Sequence, residues 1–196
     1  MRLLISVAAA AALFVATPVL AYKLIAQGQP VVAAKAITVT PSREWTRIGF
    51  AQGKNAESWT LDGLTLNDLT FYGGIAHDTT LIKDRAKKET PLPRFSKTML
   101  PTDVAQLFEG TYRIALRTSQ FTIGTVEPTT FAGRPGFKFT YSYALINEEV
   151  RRNGEAYGAI AGDRLYLVTF EAPVIHYFDR DVADFRALVG TAQITG

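Results

Sequence analysis

The chain has no cysteine, and only two of its 196 residues are histidine. Without a thiol there is no disulfide, no thiolate metal ligand and no cysteine nucleophile. A bacterial lipoprotein anchor, which needs a cysteine after the signal, is excluded as well. The scarcity of imidazole leaves His77 and His176 as the only side chains that titrate near neutrality in unperturbed form. Also missing are the Gly-x-Ser-x-Gly elbow, the Walker loop and the dinucleotide glycine fingerprint, so no cofactor is expected. Excess charge of one sign is lacking too. Lys and Arg number 21 against 18 Asp and Glu, a formal +3, and that balance is too even to point to nucleic acid.

An export signal opens the chain. Arg2 forms a minimal positive region, Leu3 to Ala16 an apolar run, and Thr17 to Ala21 a segment whose Val19 and Ala21 suit a signal peptidase. Pro18 breaks the apolar helix where the peptidase needs extended chain. Cleavage after Ala21 and a periplasmic or secreted product are therefore expected. The alternative is an uncleaved anchor, because Leu3 to Ala21 is just long enough to cross a bilayer and tether the protein at the inner membrane. Residues 22–196 then form one domain. With 47% hydrophobic residues, 12 Phe and 8 Tyr among them, it can build a sizeable core without staples.

Periodicity gives that domain its elements. Tyr22 to Thr40 holds two β-prone stretches around Gly28, Gln29 and Pro30 and predicts an opening hairpin. Glu57 to Leu61 and Leu66 to Ile75 predict strands separated by Asp62 and Gly63, with Gly73 and Gly74 marking a bend or a stop. Residues 77–100 form a long irregular stretch with Pro91 and Pro93, a length that implies mobility or function. Val104, Leu107, Phe108, Thr111 and Ala115 recur at helical spacing, predicting a helix over about 102–116 with Pro101 and Asp103 in its first turn. Phe121 to Glu127 predicts a strand, followed by a turn at Gly133 to Gly136. Phe137, Phe139, Tyr141 and Tyr143 then alternate with Lys138, Thr140 and Ser142, one face packed and one wetter. Asn153-Gly154 reads as a tight turn before Glu155 to Ala161, and Gly162-Asp163 as another. Leu165 to Phe170 reads as a central strand covered on both sides. Phe178, Val182, Phe185 and Val189 predict a closing helix, with Gly190 at its left-handed cap. Thr191 to Ile194 suits a short edge strand. The simplest arrangement is an α+β fold, one antiparallel sheet covered by two helices.

Three segments carry a family resemblance: Glu127 to Gly133, Tyr166 to Pro173, and Tyr177-Phe178 with the closing helix. Together they resemble the PsbP-like superfamily, which includes the photosystem PsbP subunit and LpqN-type mycobacterial lipoproteins. Trp59 to Gly63 and Phe71 to Ile75 look closest to uncharacterised exported alphaproteobacterial members. The resemblance spans about residues 36–194 and implies an α/β/α sandwich. Its motifs mark turns, a core strand and a final helix, so it transfers no site. Superfamily members tend to be accessory or assembly factors, not enzymes.

Candidate sites are correspondingly few. His176 with Asp179 and Asp181 could bring imidazole and carboxylate together at a helix start for acid/base work or a metal, although acids there also serve as caps and dipole partners. His77 with Asp78 reads as a turn pair. Glu148, Glu149, Arg151 and Arg152 read as a solvated hairpin arm, and Trp45 and Trp59 as core anchors. Lys83, Arg85, Lys87, Lys88, Arg94 and Lys97 outnumber Asp84 and Glu89 in the long loop and could meet an anionic partner. Phe137, Phe139, Tyr141 and Tyr143 could line a small-molecule or lipid pocket between sheet and helix. The leading expectation is a non-enzymatic accessory or binding domain for an envelope protein or lipid surface. It would make contact through the sheet's wetter face or the 77–100 loop. The alternatives are the aromatic pocket and an enzyme using His176 with Asp179.

Overall fold

The computed structural model describes residues 22–85, 88–146 and 148–195. The expected signal or anchor at residues 1–21 and the Lys87 position of the basic loop lie outside the described residues. The elements are β1 (Lys23–Ile25), β2 (Val31–Ala33), β3 (Ile37–Val39), β4 (Trp45–Arg47), β5 (Ala56–Thr60), β6 (Asp68–Ala76), α1 (Pro101–Ala115), β7 (Phe121–Phe131), β8 (Arg134–Ala144), β9 (Arg151–Ala161), β10 (Arg164–Pro173), α2 (Tyr177–Gly190) and β11 (Gln193–Ile194).

Eight strands form one antiparallel sheet in the order β1-β4-β5-β6-β10-β9-β8-β7, and β11-β3-β2 form a small second sheet. Strand β10 is central because its sequence is apolar in both registers. Leu165 and Leu167 face a cluster with α1, while Tyr166, Val168 and Phe170 face a second cluster with α2 and the small sheet. The fold is thus α+β, an antiparallel sheet between layers that each contain one helix, as in a PsbP-like sandwich.

Two β-hairpins close through two-residue turns with both central φ positive, the type I′ geometry that matches strand twist: Ala132-Gly133 at φ +52° and +71°, and Gly162-Asp163 at φ +55° and +61°. The first turn sits two residues earlier than Gly133 to Gly136 would place it, and Arg134 to Gly136 are already in β8. Helix α1 starts as expected, with Pro101 in its first turn and the Asp103 carboxylate accepting the Leu100 N–H at 2.8 Å. Its buried stripe runs on to Tyr112, whereas Ala115 is exposed.

Residues 22–40 pair differently from the expected hairpin. β1 pairs with β4, and Gly28 to Pro30 carry the chain across to the small sheet, where β2 and β3 form the hairpin. That crossing is pinned by the Gly28 N–H donating to the Pro41 carbonyl at 2.8 Å. Asn153 and Gly154 are not a turn. Both lie inside β9, opposite Ala172 and Glu171. Gly190 remains helical, and Thr191 ends α2 in a right-handed conformation. The described residues of 77–100 lack helix and extended strand, yet they are nailed to the core by Leu81, Leu92 and Phe95, all buried.

Candidate functional site: a buried carboxylate pair and a cation-rimmed groove

The α1 face of the sheet is apolar at one end and polar at the other. In β10 the alternation that points Leu165 and Leu167 toward α1 also points Thr169 and Glu171 there. In β6 it does the same for Asp68, Thr70 and Tyr72. Glu171 and Asp68 are direct cross-strand partners, so two carboxylates are forced side by side, an unfavourable pairing unless something compensates it. Three groups do. Tyr141 donates to Glu171 Oε2 at 3.0 Å and Tyr143 to Oε1 at 2.5 Å. Arg152, buried in β9, brings a guanidinium to the same region while its Nη1 donates to the Thr65 carbonyl at 2.7 Å. Arg152 is therefore not part of a solvated arm, because its neighbours on this face are the two acids.

A one-way hydrogen-bond chain reaches Asp68 from the surface. Gln52 Nε2 donates to Ser58 Oγ at 3.2 Å, Ser58 and Thr70 share a 2.6 Å bond, and Thr70 Oγ1 donates to Asp68 Oδ1 at 2.8 Å. Burial, reinforced by the Glu171 charge, pushes the Asp68 carboxyl up to about 7. Burial likewise raises Glu171, against the lowering pull of Tyr143 and Arg152. The phenols of Tyr72, Tyr112, Tyr141 and Tyr143 are driven upward, first by burial and then by charge, that of Glu171 for Tyr112, Tyr141 and Tyr143 and that of Asp68 ahead of Glu171 for Tyr72. They are neutral donors at any physiological pH. The Tyr72 hydroxyl is buried without a hydrogen-bond partner among the described residues, with Tyr112 beside it but outside bonding geometry. Chemically the cluster can hold a proton between its acids. Tyr141, Tyr143 and Glu171 are each at most 6% exposed, whereas Asp68, at the start of β6, is only partly covered. The signal for it in the sequence is Glu171, a charge inside the apolar run of a strand covered on both sides.

The expected site residues are placed as follows. Phe137, Phe139, Tyr141 and Tyr143 do share one face, and the space between it and α1 is filled by Phe108, Tyr112 and Phe121 at ring separations of 4.9 to 6.2 Å. His176 is exposed at φ +74°, its ring edge-on to Tyr177, and Asp179 is exposed one turn on. Asp181 belongs to a different constellation. Fully buried, it accepts from Arg180 at 2.7 Å and from Asn67 Nδ2 at 3.2 Å. Arg180 also grips Asp62, whose carboxyl burial would raise but whose bonds to Arg180 and Asn67 bring it down. His77 is exposed beside Asp78, and its Nδ1 accepts weakly from the Lys97 N–H at 3.4 Å. Both tryptophans are core residues. Among the described residues no group of three or more His, Cys, Asp or Glu could hold a metal.

The basic loop divides in two. Arg94 pairs with Asp78 at 3.2 Å and Lys97 with Asp163 at 2.9 Å. Lys83, Arg85 and Lys88 are exposed and make no ion pair among the described residues. Lys83 and Arg85 stand at a groove of about 360 Å³ between the loop, the Phe50 segment and the end of α1. Gln52 lines the same groove, so the hydrogen-bond chain to Asp68 begins there.

No family model matches the sequence, and no curated protein matches it. The fold does resemble solved structures. A crystal structure from Bacteroides thetaiotaomicron superposes with a TM-score of 0.51 at 6% identity over 87% of this chain, which spans 49% of that one. The solution structure of cyanobacterial PsbP (CyanoP) from Synechocystis superposes with a TM-score of 0.51 at 13% identity, over 92% of this chain and 96% of that one. LpqN, involved in cell envelope biogenesis of Mycobacterium tuberculosis, aligns at 9% identity over 93% of this chain and 88% of that one, with a TM-score of 0.35. At such identities the likeness concerns the fold, and function must come from the site.

Proposed function

We propose that the protein is an exported accessory domain of the cell envelope, non-enzymatic and related to the exported alphaproteobacterial PsbP-like proteins, that binds a partner through the 77–100 loop. The observation that carries this reading is the contrast within that loop. Leu81, Leu92 and Phe95 fix it to the core, while Lys83, Arg85 and Lys88 are left exposed, the first two beside a groove. A solvating loop needs no such anchoring, and a recognition loop gains from it, because a pre-ordered contact surface loses less entropy on association. Near-full coverage of CyanoP supports the fold, and the accessory role rests on the resemblance of the sequence to the PsbP-like superfamily.

The test is capture from crosslinked envelope extracts with the tagged chain and with a triple variant, Lys83→Glu, Arg85→Glu and Lys88→Glu. The wild type is expected to enrich a partner that the variant loses. Equal capture by both would remove the loop from the contact surface, and recovery of the protein in the cytoplasmic fraction would refute export.

A further inference from the structure

The groove beside the loop combines three recognition elements. Its floor is apolar, built from Ile82, Leu92 and Ile114, with Phe50 left 41% exposed at its side. Its rim is cationic. Lys83 and Arg85 come from the loop, and Arg117 comes from just beyond the end of α1. Arg117 has φ +53°, the left-handed position after a helix that glycine adopts without strain. A long cationic side chain there carries backbone strain, offset in part by the helix's negative end.

The third element is Asp84. Its Oδ2 accepts the Leu92 N–H at 3.1 Å, whereas Oδ1 is buried with no partner among the described residues. An orphaned acceptor favours a ligand with a donor hydrogen. A fatty acid carboxylate or a fully ionised phosphate supplies the anion for the rim but no N–H for Asp84. An internal peptide segment supplies the N–H, but an anion only through an acidic side chain, and that residue then has no apolar side chain for the floor. The last residue of a polypeptide has the carboxylate, the side chain and the amide N–H within a few ångströms of one another.

We propose that this groove receives the C-terminus of a polypeptide ending in an apolar residue. The carboxylate sits among Lys83, Arg85 and Arg117, the side chain rests on the Ile82 and Leu92 floor, and the last amide N–H donates to Asp84 Oδ1. This rests on the loop being the contact surface and adds the chemistry of the partner. Capture of a chain end by its carboxylate is a recurring recognition mode, and a 360 Å³ cavity is within the range that holds one or two residues of ligand.

The test uses fluorescent acetyl-Gly-Ala-Leu-Phe as the free acid, as the C-terminal amide, and with the last peptide nitrogen methylated, each titrated against the full chain. The free acid is expected to bind. The amide and the methylated peptide should each bind about tenfold more weakly, the loss of one charge-assisted hydrogen bond. Arg117→Gly relieves the left-handed residue, so the variant folds, and it should weaken the acid while leaving the amide unchanged. Equal affinity for acid and amide, no binding of the acid at millimolar concentration, or displacement of the acid by an equimolar amount of laurate would each overturn the proposal. If the charge-reversed loop still loses its envelope partner in those cases, the contact surface stands and only the chain-end chemistry falls. If it captures the partner as wild type does, the contact surface falls too.

Discussion

The ring of Tyr141 lies against the backbone of Gly154, so close that a Cβ on Gly154 would stand 2.1 Å from the tyrosine Cζ. Residue 154 is the β9 position between Tyr141 on β8 and Glu171 on β10. Only a residue without a side chain lets the phenol cross the middle strand and donate to the carboxylate. Gly154→Ala should therefore do more than overfill a contact. It pushes Tyr141 off Glu171 and leaves a buried carboxylate short of a donor. The expected loss is about 3 kcal/mol, from overpacking together with a broken hydrogen bond to a charged group. Urea unfolding followed by tyrosine fluorescence measures it. The paired substitution Gly154→Ala with Tyr141→Leu should lose less than the sum of the two single changes.

The acids beneath that ring make stability depend on pH in an unusual direction. An unfolded aspartate titrates near 4, whereas folded Asp68 keeps its proton up to about 7. Between those values the folded chain binds more protons than the unfolded one. Stability is then full below the unfolded value and declines as pH rises through the folded one. Every tenfold difference in proton affinity between the two states corresponds to about 1.4 kcal/mol. The urea midpoint should fall between pH 5 and pH 8, and Asp68→Asn, which still accepts from Thr70, should flatten that slope. A midpoint that rises over this interval would contradict the assignment. Asp62 and Glu127, both lowered by paired cations, act in the opposite sense and only in the more acidic range.

Why so much of the fold is legible in the sequence and so little of this cluster follows from particular residues. The β8 alternation and the repeats in both helices are period signals, which tertiary structure reinforces. Asn153-Gly154 carries the strongest short-range turn signal in that region, and it misleads because a glycine that permits a turn and one that permits a ring to pass look identical in one sequence. Gly28 to Pro30 do form a turn, but the strand they lead to belongs to another sheet, and pairing partners are not encoded locally. Glu171 is visible as a charge in an apolar run. Asp68 and Arg152 come from β6 and β9, strands on either side of β10, and become its neighbours only once strand order is known.

The anchors and the cations of the long loop should separate in experiment. Lys83, Arg85 and Lys88 are exposed, so reversing them should change unfolding free energy by no more than about 0.5 kcal/mol. Phe95→Ala removes a side chain that is 1% exposed and should cost about 3 to 5 kcal/mol. Calorimetry on both variants checks the pair. A loop that merely solvates the surface predicts small effects from each.

Asn67 links two elements that are far apart in sequence. Its Oδ1 accepts from Thr60 Oγ1 and from the Leu61 and Asp62 amides, and its Nδ2 donates to Asp62 and Asp181. Asn67→Ala orphans several buried groups at once and should destabilise by about 3 kcal/mol. Asn67→Asp keeps the acceptor but sets a third carboxylate against Asp62 and Asp181. That variant should recover stability as pH falls through the carboxylate range, which Asn67→Ala should not.

Gly73 joins the two sheets, and a substitution there should be the most damaging of all. A Cβ at this position would stand 2.2 Å from the Ala34 carbonyl oxygen. The Ala34 N–H is itself held by Glu57 Oε2 at 3.1 Å, and the Gly73 N–H by the Asn55 carbonyl at 2.8 Å. The obstacle is backbone on both sides, so no side chain can swing away to make room. Gly73→Ala must push the β2–β3 hairpin off β6, uncovering Trp59 and Phe71, which pack in the same cluster as Ala34 and Ile37. Hydrogen exchange should show the amides of residues 31–39 and 193–194 losing protection together, while those of α1, on the other face, and of β8, three strands away in the large sheet, keep theirs until global unfolding. Uniform loss of protection across both faces would mean that the small sheet is not a separable layer.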